Sequence, residues 1–155
     1  DQTRPGIGLY GIDNFGNNIE LNSKKLKFPL SLFGPVIQIR DVKIGEKVSY
    51  GGINTTKRKS RLATIGIGYA DGFLRLLKPN SKFSIMHKRC NVIGNVTMDS
   101  FVLDITNLKE GLLNEGEYLC LLDNTNIKKI LNNLDLISYE LLTLMGNRLL
   151  RRYDS

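Results

Sequence analysis

The sequence predicts a mainly β domain, a small barrel-like fold with two short helices near its C-terminus. The first observation behind this prediction is a series of short apolar or alternating runs, each about as long as an ordinary β-strand. The second is that turn-forming residues separate the runs, as at Gly51-Gly52 and Asp71-Gly72. Short strands divided by regular turns are typical of compact barrels and sandwiches. The predicted strands occupy residues 35–40, 61–68, 82–86, 88–93, 100–105 and 117–122.

Two of the predicted strands begin in the same way. Residues 44–48 (IGEKV) and 114–119 (NEGEYL) each lead from a glycine turn, through a glutamate, into an apolar run. Glycine supplies turn conformations that other residues adopt poorly. The likeness supports a fold built from repeated turns and strands.

Helix signals are confined to the C-terminal part of the chain. Residues 126–133 place apolar side chains at helical spacing, with Asn126 as a cap. Residues 140–145 predict a second short helix, which Gly146 stops. A final strand is predicted over residues 148–153.

Length and composition indicate one globular domain, or one domain with a short arm. The chain has 155 residues, of which 41% are hydrophobic, and this is enough for a core. No apolar run approaches the roughly 18 residues of a transmembrane helix, so no membrane partner is expected. Residues 1–4 do not resemble a signal peptide and look cut from a longer chain. Cys90 and Cys120 are too few for a disulfide framework, so we expect buried, reduced thiols in a cytoplasmic protein.

The net charge of +7 raises the alternative of a basic β-barrel that binds nucleic acid. The cations are scattered, however, and the compact groups are short, such as residues 57–59 and 151–152. Neither group is interleaved with aromatic side chains, as a base-stacking surface would be. A solvated basic surface is the preferred interpretation, and no nucleic-acid partner is expected.

Two loops place a tyrosine beside glycine after an apolar run. They are residues 48–52 (VSYGG), with Tyr50, and residues 68–72 (GYADG), with Tyr69. Glycine lets the backbone approach a ligand closely, so each loop can present a phenol to a bound molecule. Taken alone, a tyrosine before two glycines is more often a packed turn residue. Further motifs stand in order around the loops: RPGIGLYG at residues 4–11, GNVTMD at residues 94–99 and SYE at residues 138–140.

This ordered set resembles the C-terminal domain of the alanine racemase family, whose members depend on pyridoxal phosphate. The resemblance runs from Arg4 to Tyr153 and is weakest near residues 12–34 and 106–126.

The resemblance implies that the chain divides at residue 35. Residues 1–34 would be an arm or connector from a missing N-terminal barrel domain, and residues 35–155 would be the β domain. Residues 13–27, rich in Asn and Lys, fit a connector.

The resemblance also implies that the chain supplies one part of a composite catalytic site. The family interconverts L-alanine and D-alanine, and D-alanine enters bacterial cell-wall peptidoglycan. A lysine of the barrel holds the cofactor covalently and serves one face of the substrate, and no lysine here lies in that motif. We therefore expect this chain alone to be inactive, and the complete enzyme to act as a homodimer on a small amino acid.

Tyr50 matches the tyrosine that serves the opposite face, in the site of the partner subunit. A free phenol has a pKa of about 10, so it needs cationic or hydrogen-bonded neighbours to act as a base at neutral pH. In the family those neighbours come from the barrel.

Four further positions match substrate-binding and entrance residues of the family. Tyr69 and Arg75 correspond to residues that line the entrance, and a plain surface arginine is the alternative for Arg75. Met98 corresponds to a residue whose backbone N–H faces the substrate carboxylate, and a buried methionine is compatible with that role. Asn95 departs from the family, which more often has arginine there, and this puts in doubt the attraction for a carboxylate substrate.

Asp71 is interpreted as a carboxylate that caps its own turn rather than as an acid catalyst.

The resemblance places cofactor-binding residues at both ends of the chain. Tyr139 matches a tyrosine whose hydroxyl binds the cofactor phosphate, and Gly6 and Ile7 match backbone contacts to it. Arg4 matches an arginine that faces the pyridine nitrogen, where a guanidinium disfavours protonation of that nitrogen.

His87 has no second histidine or paired cysteine with which to form a metal site, so no metal and no role are assigned to it.

Two alternatives to an alanine-specific enzyme stay open. A broad-specificity amino-acid racemase of the same fold would share these residues, because side-chain selection depends partly on the missing barrel. The other is the basic β-barrel that binds nucleic acid, and the scattered charge argues against it.

Overall fold

A computed structural model describes residues 1–12, 27–52, 54–72, 82–85, 88–127, 130 and 138–153 of the chain. Arg75 and His87 lie outside these residues, as do residues 13–26 of the segment 13–27 that fits a connector. The interpretations given for them stay predictions.

The described residues form a mainly β fold, as predicted. Six strands make one antiparallel half-barrel sheet in the order β5-β6-β7-β4-β1-β8, and two short strands, β2 and β3, pair separately. All six predicted strand segments are confirmed, with small shifts at their ends. The strands are β1 (Leu32–Val42), β2 (Lys47–Val48), β3 (Asn54–Thr55), β4 (Ser60–Ile65), β5 (Lys82–Ile85), β6 (Lys88–Ile93), β7 (Phe101–Asp104) and β8 (Tyr118–Leu122).

The longest strand, β1, changes its neighbour along its length. Residues up to Pro35 pair with β8, and residues from Val36 onward pair with β4. Proline has no N–H and cannot continue a central ladder, so Pro35 stands where the pairing passes from one neighbour to the other. The register with β4 shifts between Val36 and Gln38, and such an irregularity bends a strand. This bend helps the sheet to curve.

Two apolar clusters support the sheet. The main cluster takes inward-facing residues from all six strands, among them Phe101, Leu103 and Leu121. A smaller cluster contains Val42, Val48 and Leu62. Burying an aliphatic side chain of this size stabilises a fold by about 1.5–3 kcal/mol. Val48 is therefore a firm anchor for the loop that follows it.

The N-terminal segment contributes to the same core. A 3-10 turn at Gly6–Tyr10 buries Ile7, and Ile12 and Phe28 belong to the main cluster as well. The backbone N–H of Phe28 donates to Asn124 Oδ1 at 2.8 Å. The predicted division of the chain at residue 35 stays a prediction.

The C-terminal region contains the helix α1 (Ser138–Leu144), close to the predicted residues 140–145. Within the part of the chain that the structure describes, no helix has the length and apolar character needed to cross a membrane.

The predicted helix at residues 126–133 is described only at its start and at Ile130. The N–H groups of Ile127 and Ile130 donate to carbonyls four residues earlier, as in an α-helix. The N–H groups that a cap at Asn126 would satisfy belong to residues outside the described structure, so the predicted cap stays a prediction. Asn126 Oδ1 accepts the N–H of Asp123 at 2.9 Å, and Asp123 Oδ1 accepts the N–H groups of Thr125 and Asn126 at 2.8 and 3.1 Å. These two side chains therefore stabilise the turn that leads from β8 into the helix.

The predicted final strand over residues 148–153 is also wrong, because these residues join no ladder in the described structure. Arg148 is held by carboxylates, and the Arg151 guanidinium donates to the carbonyls of Met145 and Gly146 at 3.3 and 3.5 Å. Contacts of the two arginine side chains take the place of the predicted strand pairing.

Candidate active site

The Tyr50 loop is built on a buried valine and a strained serine. Val48 ends β2 with 2% exposure, and the next residue, Ser49, has a φ of +67°, in the left-handed region. A non-glycine residue is seldom found there, and such strain often marks a functional turn. The 3-10 turn Tyr50–Gly52 follows, and Tyr50 is 80% exposed. Tyr50 is thus displayed to solvent, and the alternative of a packed turn tyrosine is wrong.

The strained serine joins the Tyr50 loop to the loop after β6. Ser49 Oγ donates to the carbonyl oxygen of Asn95 at 2.7 Å. Gly94 has a φ of +75°, and a Cβ on it would lie 2.5 Å from Ser49 Cβ, so only glycine lets the two loops approach this closely. The Asn95 side chain is exposed beside this contact. Tyr50 and Asn95 therefore lie on adjoining turns.

The Tyr69 loop is a 3-10 turn, Tyr69–Asp71, that is capped from within. Asp71 Oδ2 accepts the Gly68 N–H at 2.8 Å, and Asp71 is 7% exposed. The interpretation of Asp71 as a turn cap is therefore confirmed. Gly72 ends the turn with a φ of +92°. Tyr69 itself is 42% exposed.

Backbone hydrogen bonds attach the Tyr69 loop to the Met98 loop. The N–H of Tyr69 donates to Thr97 O, and the N–H of Ala70 donates to Met98 O, each at 3.0 Å. A side chain on Gly68 would overlap the carbonyl of Met98. Each such hydrogen bond contributes about 0.5–1.5 kcal/mol net. The two loops therefore form one unit.

Met98 lies on a tight loop between β6 and β7. The N–H of Thr97 donates to Ser100 O at 2.8 Å, which closes the loop around Met98. The Met98 side chain is 52% exposed, so the alternative of a buried methionine is wrong. Among the described residues, no backbone acceptor takes the Met98 N–H. The role of this N–H as a substrate contact stays a prediction.

We call Tyr50, Tyr69, Asn95 and Met98, with their loops, the tyrosine face. These side chains come from three separate loops, which are joined by the contacts from Ser49 to Asn95 and from Ala70 to Met98. All four are intermediate to exposed in the described structure. The structure therefore brings together the predicted catalytic, substrate-binding and entrance residues, except Arg75, which is not described.

Sequence reasoning missed one residue that borders this face. The Arg148 guanidinium places Nη2 2.6 Å from Asp99 Oδ1 and Nε 3.7 Å from Asp71 Oδ1. The hydrogen bond to Asp99, and then the charge of Asp71, raise the pKa of the Arg148 guanidinium. No local pattern could have revealed this arginine, because Asp99 is 49 residues away in the chain.

The predicted phosphate contacts also meet in the structure. Gly6 has a φ of +56°, and a Cβ on it would lie 3.4 Å from the hydroxyl oxygen of Tyr139. Ile7 anchors its turn through a buried side chain with 3% exposure, while Arg4 is exposed just before the turn. Tyr139 is the second residue of its helix and is 48% exposed. The two ends of the chain thus approach one another at the predicted cofactor residues.

The described residues contain no group of three or more His, Cys, Asp and Glu side chains that could hold a metal ion. The tyrosine face and the turn at Gly6 carry phenols and amides, and Arg148 pairs with two carboxylates of the loops, Asp71 and Asp99. Phenols and amides suit an organic anion better than a metal ion.

The fold and the site define a class of protein: an antiparallel β domain that displays tyrosines on linked, glycine-rich turns. Residues 30–153 match the family described as alanine racemase, C-terminal domain. This match covers most of the chain, and the chain therefore belongs to the alanine racemase family.

Curated relatives cover the same stretch. The alanine racemase of Brucella canis is 40% identical over 163 residues, which cover 99% of this chain and 41% of the relative. The catabolic alanine racemase of Rhizobium johnstonii is 40% identical over 152 residues, covering 97% of this chain and 39% of the relative. The chain thus spans about two fifths of the length of these relatives.

Solved structures agree with the fold. The alanine racemase from Bartonella henselae with covalently bound pyridoxal phosphate superposes with a TM-score of 0.81 at 32% identity, covering 92% of this chain and 39% of that one. The biosynthetic alanine racemase from Pseudomonas aeruginosa gives a TM-score of 0.82 at 29% identity, covering 97% and 41%.

Proposed function

We propose that this chain is the C-terminal part of an alanine racemase, and that the complete enzyme interconverts L-alanine and D-alanine. Membership of the family supports the reaction. The observation that carries the proposal is the linked set of turns that holds Tyr50, Tyr69 and Met98 on the tyrosine face.

The described residues fit the phosphate of pyridoxal phosphate. A phenol and backbone N–H groups are suitable donors to a phosphate, and the Tyr139 hydroxyl lies beside the glycine turn that begins at Gly6. Gly6, Ile7 and Tyr139 would hold the phosphate, and Arg4 would face the ring nitrogen. When bound, the cofactor accepts the electron pair that remains as the α-proton leaves.

Tyr50 would hold and move the proton on one face of the substrate α-carbon. Its exposure allows the hydroxyl to enter a site built largely by another subunit. The cationic neighbours that a phenolic base needs would come from the barrel domain there. A lysine of the same barrel would serve the opposite face, so that the two faces have separate bases.

Met98 and Tyr69 would act on the substrate beside Tyr50. The Met98 N–H would donate to the substrate carboxylate, and Tyr69, with Arg75, would line the entrance. Asn95 would stand at the mouth of this channel without a positive charge.

The partners follow from this arrangement. The chain would pack against an N-terminal barrel domain of its own polypeptide and, as a homodimer, would lend the tyrosine face to the partner subunit. The complete protein would be a cytoplasmic bacterial enzyme that supplies D-alanine for cell-wall peptidoglycan.

The test is the change Tyr50→Phe in the complete enzyme. It removes only a hydroxyl from an exposed side chain, so folding and cofactor content should be retained. Racemisation should fall about 100- to 10,000-fold, as is usual when a general base is lost. In deuterated water D-alanine should still exchange its α-proton through the lysine, whereas L-alanine should stay nearly inert.

Tyr118→Phe is the matched control, because Tyr118 is 69% exposed on β8 and the chemical change is the same. It should leave racemisation unchanged. If Tyr50→Phe keeps most activity, or slows exchange of both enantiomers equally, Tyr50 is not a one-face base, and Tyr69 becomes the next tyrosine to test. Equal turnover of several amino acids by the unaltered enzyme would instead favour a broad-specificity racemase.

A further inference from the structure

Arg148 lies between carboxylates on two different loops of the tyrosine face. Its Nε is 3.7 Å from Asp71 Oδ1, and its Nη2 is 2.6 Å from Asp99 Oδ1. The Asp71 side chain is 10% exposed, whereas that of Asp99 is 64% exposed. The arginine therefore connects a buried carboxylate to one in solvent.

Each carboxylate belongs to a loop that carries a proposed substrate contact. Asp71 caps the Tyr69 turn by accepting the Gly68 N–H, so a shift of the Asp71 side chain would displace the backbone of that turn. Asp99 directly follows Met98 in the chain.

The two loops are also joined by backbone hydrogen bonds, from Tyr69 to Thr97 and from Ala70 to Met98. Arg148 adds a second connection between the two loops and so closes a ring of contacts. A planar guanidinium donates in several fixed directions and can serve two carboxylates at once, which a single ammonium does less well. Arg148 donates a hydrogen bond to Asp99 and pairs with Asp71 by charge at 3.7 Å, so an arginine suits this position better than a lysine.

We propose that Arg148 is a positioning residue that fixes the Met98 backbone N–H relative to the Tyr69 side chain. This inference rests on the proposed function, in which both groups meet the substrate. Arg148 would act on the substrate only through the two loops.

The kinetic test uses Arg148→Ala in the complete enzyme. The kcat/KM for alanine should fall about 10- to 100-fold, because small misplacements of positioning groups have effects of up to that size. The loss should appear mainly as a higher KM, since the displaced groups bind the substrate carboxylate and line its entrance. Arg148→Lys should recover only part of the loss. The matched control Arg151→Ala removes a neighbouring exposed arginine whose contacts among the described residues are to the carbonyls of Met145 and Gly146, and it should leave KM unchanged.

A merely stabilising role would give a different pattern. It would lower Tm and the amount of folded enzyme, so that the apparent kcat would fall while KM stayed the same. That result would overturn the proposal. In a double-variant cycle, adding Asp99→Asn to Arg148→Ala should cost little more than Arg148→Ala alone. Fully additive losses would contradict the proposed bridge.

Amide hydrogen exchange separates this proposal from the proposed function. The N–H groups of Tyr69 and Ala70 should exchange faster in Arg148→Ala than in Arg151→Ala, because the loop contact opens more often. If the unaltered complete protein does not racemise alanine, the proposed function fails, but faster exchange would still support Arg148 as the residue that holds the loops together. Unchanged exchange at both amides would overturn its positioning role.

Discussion

Gly72→Ala is expected to separate the Tyr69 turn from helix α1. Gly72 ends the turn with a φ of +92°, and an added Cβ would overlap the carbonyl oxygen of Leu144 and lie 3.1 Å from Met145 N. These are backbone atoms, so they cannot rotate away as a flexible side chain does. Either the turn or the end of α1 must move.

The size of the effect follows from two separate costs. Holding alanine in the left-handed region costs about 1–2 kcal/mol. Overpacking against atoms that cannot yield adds about 1–3 kcal/mol. The free energy of unfolding should therefore fall by about 2–5 kcal/mol. Gly111→Ala is the matched control, because Gly111 has a φ of +81° with nothing within 4 Å of the added Cβ, and it should cost only the first amount.

Equilibrium urea unfolding measures both changes by linear extrapolation. The chain contains no tryptophan, so far-ultraviolet circular dichroism or tyrosine fluorescence should be used to follow unfolding. Gly72→Ala should lose more stability than Gly111→Ala by about 1–3 kcal/mol. Equal losses would show that the Tyr69 turn and α1 are not packed closely, and the reasoning from their contact would be refuted.

Three further outcomes are expected. Asn95→Arg in the complete enzyme should lower KM for alanine at low salt, because an added cation attracts the carboxylate, and should lose this advantage at high salt, because salt screens that attraction. The loop should keep its shape, since Ser49 bonds the Asn95 carbonyl and not its side chain. An unchanged KM at low salt would show that the position does not steer substrate. This chain alone should neither bind pyridoxal phosphate covalently nor racemise alanine, and a borohydride-sensitive absorbance band of a covalent adduct would contradict that. Burial, and then the charge of Asp104, raise the pKa of Cys90 from its ordinary value of 9.0 to about 11. The neutral buried thiol therefore favours the folded state below pH 9.0, and this contribution is lost as the pH rises toward about 11. Iodoacetamide should label Cys90 slowly below pH 9.0 unless urea is added, and equally fast labelling with and without urea would contradict its burial.

The strands were predictable because their signals are local. Alternation of apolar side chains and the glycine turns between runs depend on neighbours in the chain, and these placed all six strands of the large sheet. The role of Asp71 as a cap was predictable for the same reason, since its acceptor oxygen serves Gly68 within one turn.

Local signals failed where an element depends on a partner that is distant in the chain. The strand predicted over residues 148–153 needed a partner with an open edge, and these residues join no ladder in the described structure. Carboxylates and carbonyls hold Arg148 and Arg151 instead.

Motif order in the sequence was enough to propose the family, the cofactor and the identity of the site residues. The contacts that assemble the site could come only from the tertiary structure. Ser49 meets Asn95 across 46 residues of chain, and Arg148 meets Asp99 across 49. Neither pair leaves a local pattern, because the order of strands in the sheet determines which loops become neighbours. Hydrogen bonds and ion pairs act over a few ångströms, so they form only after β-sheet pairing has brought those loops together.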